Sequence, residues 1–120
     1  MFIAALAVAV LGYLFILFIG GRFLLAPTVA TAGFGVAEDR RRAFTSIKGV
    51  RDITSGIVPL VVLLVAGPHA FGWVLLAAAI TPIGDAIIVV TNGGTLRQAL
   101  TVHGATAVVL IVAGLVLALG

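Results

Sequence analysis

The sequence predicts an all-α integral membrane protein, a four-helix bundle with its N- and C-termini on the extracytoplasmic side. Of the 120 residues, 62% are hydrophobic and only 9% are charged, and the mean hydropathy is +1.35. Soluble domains are roughly 45–50% apolar and about a quarter charged. Because a water-soluble fold of this size could not bury so much apolar surface, the bilayer is the expected solvent. The chain is predicted to form a single domain over residues 1–120.

Four apolar stretches are long enough to cross a bilayer, which takes about 20 residues for roughly 30 Å of hydrocarbon. They cover about residues 2–25, 44–66, 70–90 and 97–119. Residues that stop helices separate them, namely Pro27, Gly67-Pro68 and Asn92-Gly93-Gly94. The stretch 26–43 between the first two spans is predicted to turn and then to form an interfacial segment.

The basic residues indicate how the spans are oriented. Five of the seven lie between Arg40 and Arg51, and this run adjoins an apolar span without an aromatic platform for bases, so we expect a membrane anchor and no nucleic acid. The connection at 67–69 carries no Asp, Glu, Lys or Arg. The positive-inside rule then places the first and third connections in the cytoplasm. The predicted location is the cell (inner) membrane, as a multi-pass protein.

Ionisable side chains inside the predicted spans are the main functional signal. They are Lys48, Arg51, Asp52, Asp85 and His103. An unpaired charge costs roughly 2.5–3.5 kcal/mol at mid-membrane on insertion scales, so pairing or access to water is expected. At about 1.5 Å per residue, Asp52, Asp85 and His103 lie at similar depths from the cytoplasmic side. We therefore expect them to meet at one level.

Helical periodicity predicts which faces turn inward. In the second span a polar stripe is predicted to face the bundle and an aliphatic stripe the lipid. The polar stripe consists of Thr45, Lys48, Asp52, Ser55, Gly56 and Pro59; the aliphatic one consists of Val50, Ile53, Ile57 and Val61. In the third span Thr81, Asp85 and Asn92 share a face, and Pro82 removes a backbone donor and can kink the helix. In the fourth, small residues Ala107 and Gly114 accompany His103 toward the interior.

These patterns give a candidate site with two kinds of residue. Asp52, Asp85 and His103 are the candidate catalytic acid and base groups, since histidine changes protonation near neutral pH. The candidate ligand-binding residues are Arg51, Lys48, Ser55, Thr81 and Asn92. No metal and no cofactor is predicted, although two carboxylates and an imidazole are chemically able to bind one. The structural alternative is a salt-bridge network that only holds the helices together.

The polar motifs also resemble a known family. Lys48-Gly49-Val50-Arg51-Asp52 with Gly56, then Gly84-Asp85-Ala86, Gly93-Gly94 and His103-Gly104, are similar to motifs of small four-span bacterial and fungal membrane proteins grouped as a domain of unknown function. The resemblance covers most of the chain from the second span onward. It implies the same site residues and brings no established activity.

Three functions of different classes remain open from the sequence. The first is a cytoplasm-facing intramembrane site that binds a lipophilic small molecule, with acid/base isomerase or cyclase chemistry. The second is a proton-coupled exporter acting as a dimer, although small multidrug-resistance transporters use an acidic residue in span one and none lies between Met1 and Gly21. The third is an accessory subunit of a larger membrane complex. The expected partners are membrane lipid, a lipophilic small molecule, and either a second copy or a membrane complex.

Overall fold

The computed structural model describes residues 1–26 and 42–120, and all regular secondary structure within these ranges is helical. The elements in order are α1 (Phe2–Leu25), α2 (Arg42–Ala78), α3 (Ile80–Thr91), α4 (Leu96–Gln98), a π-helix (Ala99–Gly104) and α5 (Ala105–Leu119). The predicted interfacial segment falls largely on 27–41, outside the described residues.

Three helical stretches are long and apolar enough to cross a membrane: Phe2–Leu25, Thr45–Thr91 and Leu96–Leu119. Their outward surfaces are apolar, with Leu11, Leu64 and Val65 among the most exposed side chains. Large exposed aliphatic faces on every long helix require an apolar solvent. The chain is therefore a membrane protein, as the composition predicts.

The helix α1 has the bounds that hydropathy predicts, from Phe2 to Leu25. It ends two residues before Pro27. The helix α2 differs from the prediction of a loop at 67–69. A single residue, Gly67, leaves the helical conformation at φ 85°, ψ 177°, a region that favours glycine. The chain kinks there and resumes at Pro68, whose missing amide suits a helix start. We call 42–66 and 68–78 the first and second arms of α2.

Proline and glycine also shape the end of the third segment. The helix is interrupted at Ala79, close to Pro82, which has no amide hydrogen to donate to the carbonyl of Ala78. The helix α3 then ends at Thr91, Asn92 is its C-cap, and Gly93 adopts φ 85°. The amide of Gly94 donates to the carbonyl of Val89 at 2.7 Å, which closes a Schellman motif. The predicted stop at 92–94 is confirmed.

The fourth segment, which hydropathy predicts as a span over about 97–119, is helical from Leu96 to Leu119 and changes helix type on the way. Thr95 caps its start by accepting a hydrogen bond from the amide of Gln98 at 3.1 Å. A single turn of α-helix follows and then widens into the π-helix, which contains His103, before α5 begins. π-Helical turns insert an extra residue and occur often at functional sites.

Small residues allow the helices to approach closely. A Cβ atom added to Gly20 of α1 would lie 2.9 Å from the carbonyl oxygen of Gly49 in α2, and one added to Gly72 would lie 2.9 Å from that of Gly114 in α5. Backbone-to-backbone contacts of this kind are how membrane helices associate. The core between these crossings is formed by Ala9, Tyr13, Phe71, Leu75, Ala113 and Leu117.

Candidate functional site

The first arm of α2 carries a short ion pair at its polar face. Lys48 Nζ lies 2.6 Å from Asp52 Oδ2, one helical turn away. The ammonium also lies 4.3 Å from the centroid of the Phe23 ring on α1, within the range of a cation–π interaction. Asp52 is 8% exposed. The pair is thus enclosed between α1 and α2, and the charges of Lys48 and Asp52 are largely balanced by each other.

Arg51 is placed differently although it precedes Asp52 directly. Its side chain is 50% exposed, and its guanidinium NH2 nitrogen lies 3.6 Å from Asp52 Oδ1 and 4.0 Å from Asp85 Oδ2. Both distances exceed those of hydrogen bonds. Arg51 therefore links the α2 cluster electrostatically to α3, and the guanidinium keeps an open side.

Asp85 and His103 form the second half of the cluster. Asp85 Oδ2 lies 4.0 Å from His103 Nδ1, which joins α3 to the π-helix. His103 is 6% exposed, and the side chain of Asp85 is 14% exposed. Asp85 consequently stands between a guanidinium and an imidazole from two other segments, at the same distance from each. The three candidate catalytic residues and the candidate residues Lys48 and Arg51 are all in this one cluster.

Three of the predicted ligand-binding residues lie outside the cluster. The hydroxyl of Ser55 donates to the carbonyl of Arg51 at 2.8 Å, and the amide of Asn92 donates to the carbonyl of Ile88 at 2.8 Å, each within its own helix. Thr81 is exposed. The inward face of α3 is formed by Pro82 and Val89 instead of the predicted Thr81 and Asn92.

Most residues of the second span have the buried or exposed position that the predicted stripes give them. Thr45, Asp52, Gly56 and Pro59 are buried, and Lys48 is half-buried. On the aliphatic side Val50, Ile57 and Val61 are exposed, as predicted for lipid contact. Ile53 departs from its stripe because it packs against Gly20 of α1.

An open apolar groove lies between α3 and the start of the fourth segment. It is lined by Ala86, Val90, Leu96, Ala99 and Leu100 among others, with a volume of about 280 Å³. Ala86 follows Asp85 in sequence, and Ala99 is four residues before His103. Small-molecule sites usually measure about 300–1,000 Å³, so the groove could hold only part of a drug-sized ligand.

The groups in the cluster have the chemistry of proton transfer and of binding polar groups. Within residues 1–26 and 42–120, no group of three His, Asp or Glu side chains is arranged to hold a metal ion. A carboxylate and an imidazole in a water-poor setting can act as acid and base toward the same bound molecule. The guanidinium beside them supplies several hydrogen-bond donors in a planar fork.

Two features of the site had no clear signal in the sequence. The contribution of Phe23 depends on the packing of α1 against α2, and no local pattern predicts a cation–π contact. The π-helix around His103 has no residue spacing that distinguishes it from a regular α-helix. The adjoining Gly104 is the sole local irregularity in residues 99–104, and glycine inside a helix lowers helix propensity.

Comparison with known proteins identifies a family. A family model described as a domain of unknown function (DUF4267) matches residues 13–117, which is most of the chain and includes every residue of the cluster. No curated protein matches the chain, and no solved structure does.

Proposed function

The chain belongs to the DUF4267 family, and from that premise and the geometry of the cluster we propose that it binds a lipophilic small molecule at an intramembrane site. Asp85, His103 and Arg51 contact the polar end of that molecule. Asp85 and His103 then move a proton between two positions of it, as an isomerase or cyclase of a lipophilic substrate would.

The spacing around Asp85 is the observation that carries this proposal. Its carboxylate is 4.0 Å from both Arg51 and His103. Two polar atoms about 4.0 Å apart are too far apart for a direct hydrogen bond, and a third oxygen lying to the side of the line that joins them can reach both. An oxygen of a bound molecule placed there would be within reach of an acid, a base and a guanidinium together. A cluster meant only to hold helices together would gain more from shorter contacts.

We also propose four membrane crossings with both termini outside the cytoplasm. If Thr45–Thr91 were one straight helix of 47 residues, it would be about 70 Å long, whereas the longest dimension of the chain is 44 Å. The kink at Gly67 is the natural place for the chain to reverse, and the positive-inside rule then orients the bundle.

The absence of cysteine makes this topology directly testable. His69→Cys should react with a membrane-impermeant maleimide added outside intact cells, whereas Thr95→Cys should react only after the membrane is opened. The reverse labelling pattern would invert the orientation, and equal labelling of both positions from outside would refute the reversal at Gly67.

The charge balance favours this proposal over the alternative of a proton-coupled small-molecule exporter acting as a dimer, where the exported molecule is a cation. Such an exporter needs a carboxylate that exchanges its proton for the substrate. Here Asp52 pairs with Lys48 at 2.6 Å, and Asp85 has Arg51 and His103 at 4.0 Å. A cation entering the site would meet basic groups beside each carboxylate.

Matched histidine variants test the site. We expect 1-dodecanol to bind the purified protein in a non-ionic detergent, measured by native mass spectrometry, and His103→Asn and Asp85→Asn to weaken this binding at least about tenfold. His69→Asn is the control, since His69 is an exposed histidine on the opposite side of the kink. Unchanged binding in both cluster variants would refute the proposed site.

A further inference from the structure

The side chain of Arg51 has hydrogen-bonding capacity that its neighbours do not use. It is half-exposed, and its carboxylate neighbours lie 3.6 and 4.0 Å away. Among the described residues its guanidinium donates no hydrogen bond, while Lys48 already holds Asp52 at 2.6 Å. A planar fork of donors with an open side matches the paired oxygens of a carboxylate or a phosphate.

The charges of the cluster favour a ligand of one sign. Lys48 and Arg51 offset Asp52 and Asp85, so the four described side chains sum to zero when His103 is neutral. A cationic ligand would leave one positive charge. With both carboxylates already ionised and His103 neutral, only loss of a proton from Lys48 or Arg51 could cancel it, and these are the most basic side chains of the cluster. An anionic ligand would leave one negative charge, which a proton on His103 cancels. In a medium of low dielectric constant an uncompensated charge is costly.

From these two observations we propose that the site selects an amphiphile whose head is an oxyanion, a carboxylate or a phosphate, held by the guanidinium of Arg51. This inference rests on the proposed function and names its substrate class. The apolar tail of the molecule remains among the lipid-facing surfaces of the helices. Arg51 is thus the residue that determines head-group specificity, beside the proton-transferring pair Asp85 and His103.

Four amphiphiles with the same twelve-carbon tail test the selection. Dodecanoate, dodecyl phosphate, 1-dodecanol and dodecyltrimethylammonium are each titrated against the intact protein in a non-ionic detergent. Dodecanoate and dodecyl phosphate should bind about 10- to 100-fold more tightly than dodecanol, the range that charge-assisted hydrogen bonds supply. Dodecyltrimethylammonium should bind more weakly than dodecanol. Acetate and inorganic phosphate, which lack the tail, should not compete, and effective competition by them would overturn the amphiphile as ligand.

Variants of Arg51 then assign the selection to this residue. In Arg51→Gln the preference, taken as the ratio of the dodecanoate and dodecanol affinities of the same variant, should fall to about threefold or less. Arg51→Lys keeps the charge without the planar fork and should retain an intermediate preference. This second variant keeps the test decisive if Arg51→Gln does not fold. Arg97→Gln removes the same charge from an exposed arginine and should leave the preference unchanged.

The outcomes separate this inference from the proposed function. If wild-type protein binds dodecanol and dodecanoate equally, and Asp85→Asn abolishes both, the site stands and the anion selectivity is refuted. A preference for dodecyltrimethylammonium would overturn the selectivity and restore the cation exporter. Binding of no amphiphile to the wild type would refute the proposed function itself. A preference that survives in Arg51→Gln would remove Arg51 as its source.

Discussion

Gly20 and Gly21 are neighbours on α1 that differ in their surroundings, and substituting each by alanine measures how tightly α1 packs on α2. A Cβ atom on Gly20 would lie 2.8 Å from Ile53 Cγ1 and 2.9 Å from both the Gly49 carbonyl oxygen and the Ile53 amide nitrogen. A Cβ atom on Gly21 would have no such neighbour within 4 Å. Comfortable carbon contacts are about 3.5–4.0 Å, so α1 would have to retreat by roughly 0.6 Å or more in Gly20→Ala only.

The magnitude follows from two opposing effects. Alanine is favoured over glycine in a helix by about 1 kcal/mol, and this gain applies to both variants. Overpacking costs about 1–3 kcal/mol and applies only to Gly20→Ala. The difference between the two variants removes the shared propensity effect, so Gly20→Ala should be about 1–3 kcal/mol less stable than Gly21→Ala.

Equilibrium unfolding in mixed dodecylsulfate and dodecylmaltoside micelles, followed by far-UV circular dichroism, measures this difference. Gly49→Ala probes the same crossing from α2, because its Cβ atom would lie 2.9 Å from the Gly20 carbonyl oxygen. The double variant should cost less than the sum of the two, since one retreat of the helix relieves both clashes. A difference below about 0.5 kcal/mol between Gly20→Ala and Gly21→Ala, the usual scatter of independent sites, would refute the close approach at this crossing.

Two further predictions concern buried polar groups and use the same unfolding measurement. Asp52→Asn should destabilise the protein by about 2–3 kcal/mol, somewhat less than for a fully buried pair, because the Lys48 side chain is 20% exposed. The double variant Lys48→Met/Asp52→Leu should recover at least half of this loss of stability. Strictly additive losses would show that the two side chains are not coupled. The buried hydroxyl of Tyr13 has no hydrogen-bond partner among the described residues. Tyr13→Phe should therefore be as stable as the wild type, or more stable by up to about 1–2 kcal/mol. A loss of stability above about 1 kcal/mol would mean that the hydroxyl has a partner.

The helix limits could be predicted wherever local chemistry decides them. The end of α1 before Pro27, the break at Gly67 and the stop at Gly93 each follow from a residue that changes backbone geometry by itself. The π-helix could not be predicted in this way. It adds a residue to one turn inside an apolar span. Hydropathy and periodicity predict a helix over residues 97–119 but do not distinguish the π-helix from the α-helix. The π-helix packs against α3, which carries Asp85, and contacts between segments leave no mark on a local sequence pattern.

The candidate site shows which polar residues are informative in a membrane helix. Ser55, Thr91, Thr101 and Thr106 each donate to the carbonyl four residues earlier, and Asn92 does the same from its side-chain amide. Such groups form their hydrogen bonds within their own helix, so they can face lipid. Polarity alone is therefore a poor guide to whether a serine, threonine or asparagine side chain faces the interior of the bundle. A carboxylate has no proton to donate to its own helix and a guanidinium has too many donors for one carbonyl. Asp52 therefore needs a cation, which Lys48 supplies from the same helix. Asp85 has Arg51 and His103 beside it from two other segments, which is why the charged residues converge where the hydroxyl and amide residues do not.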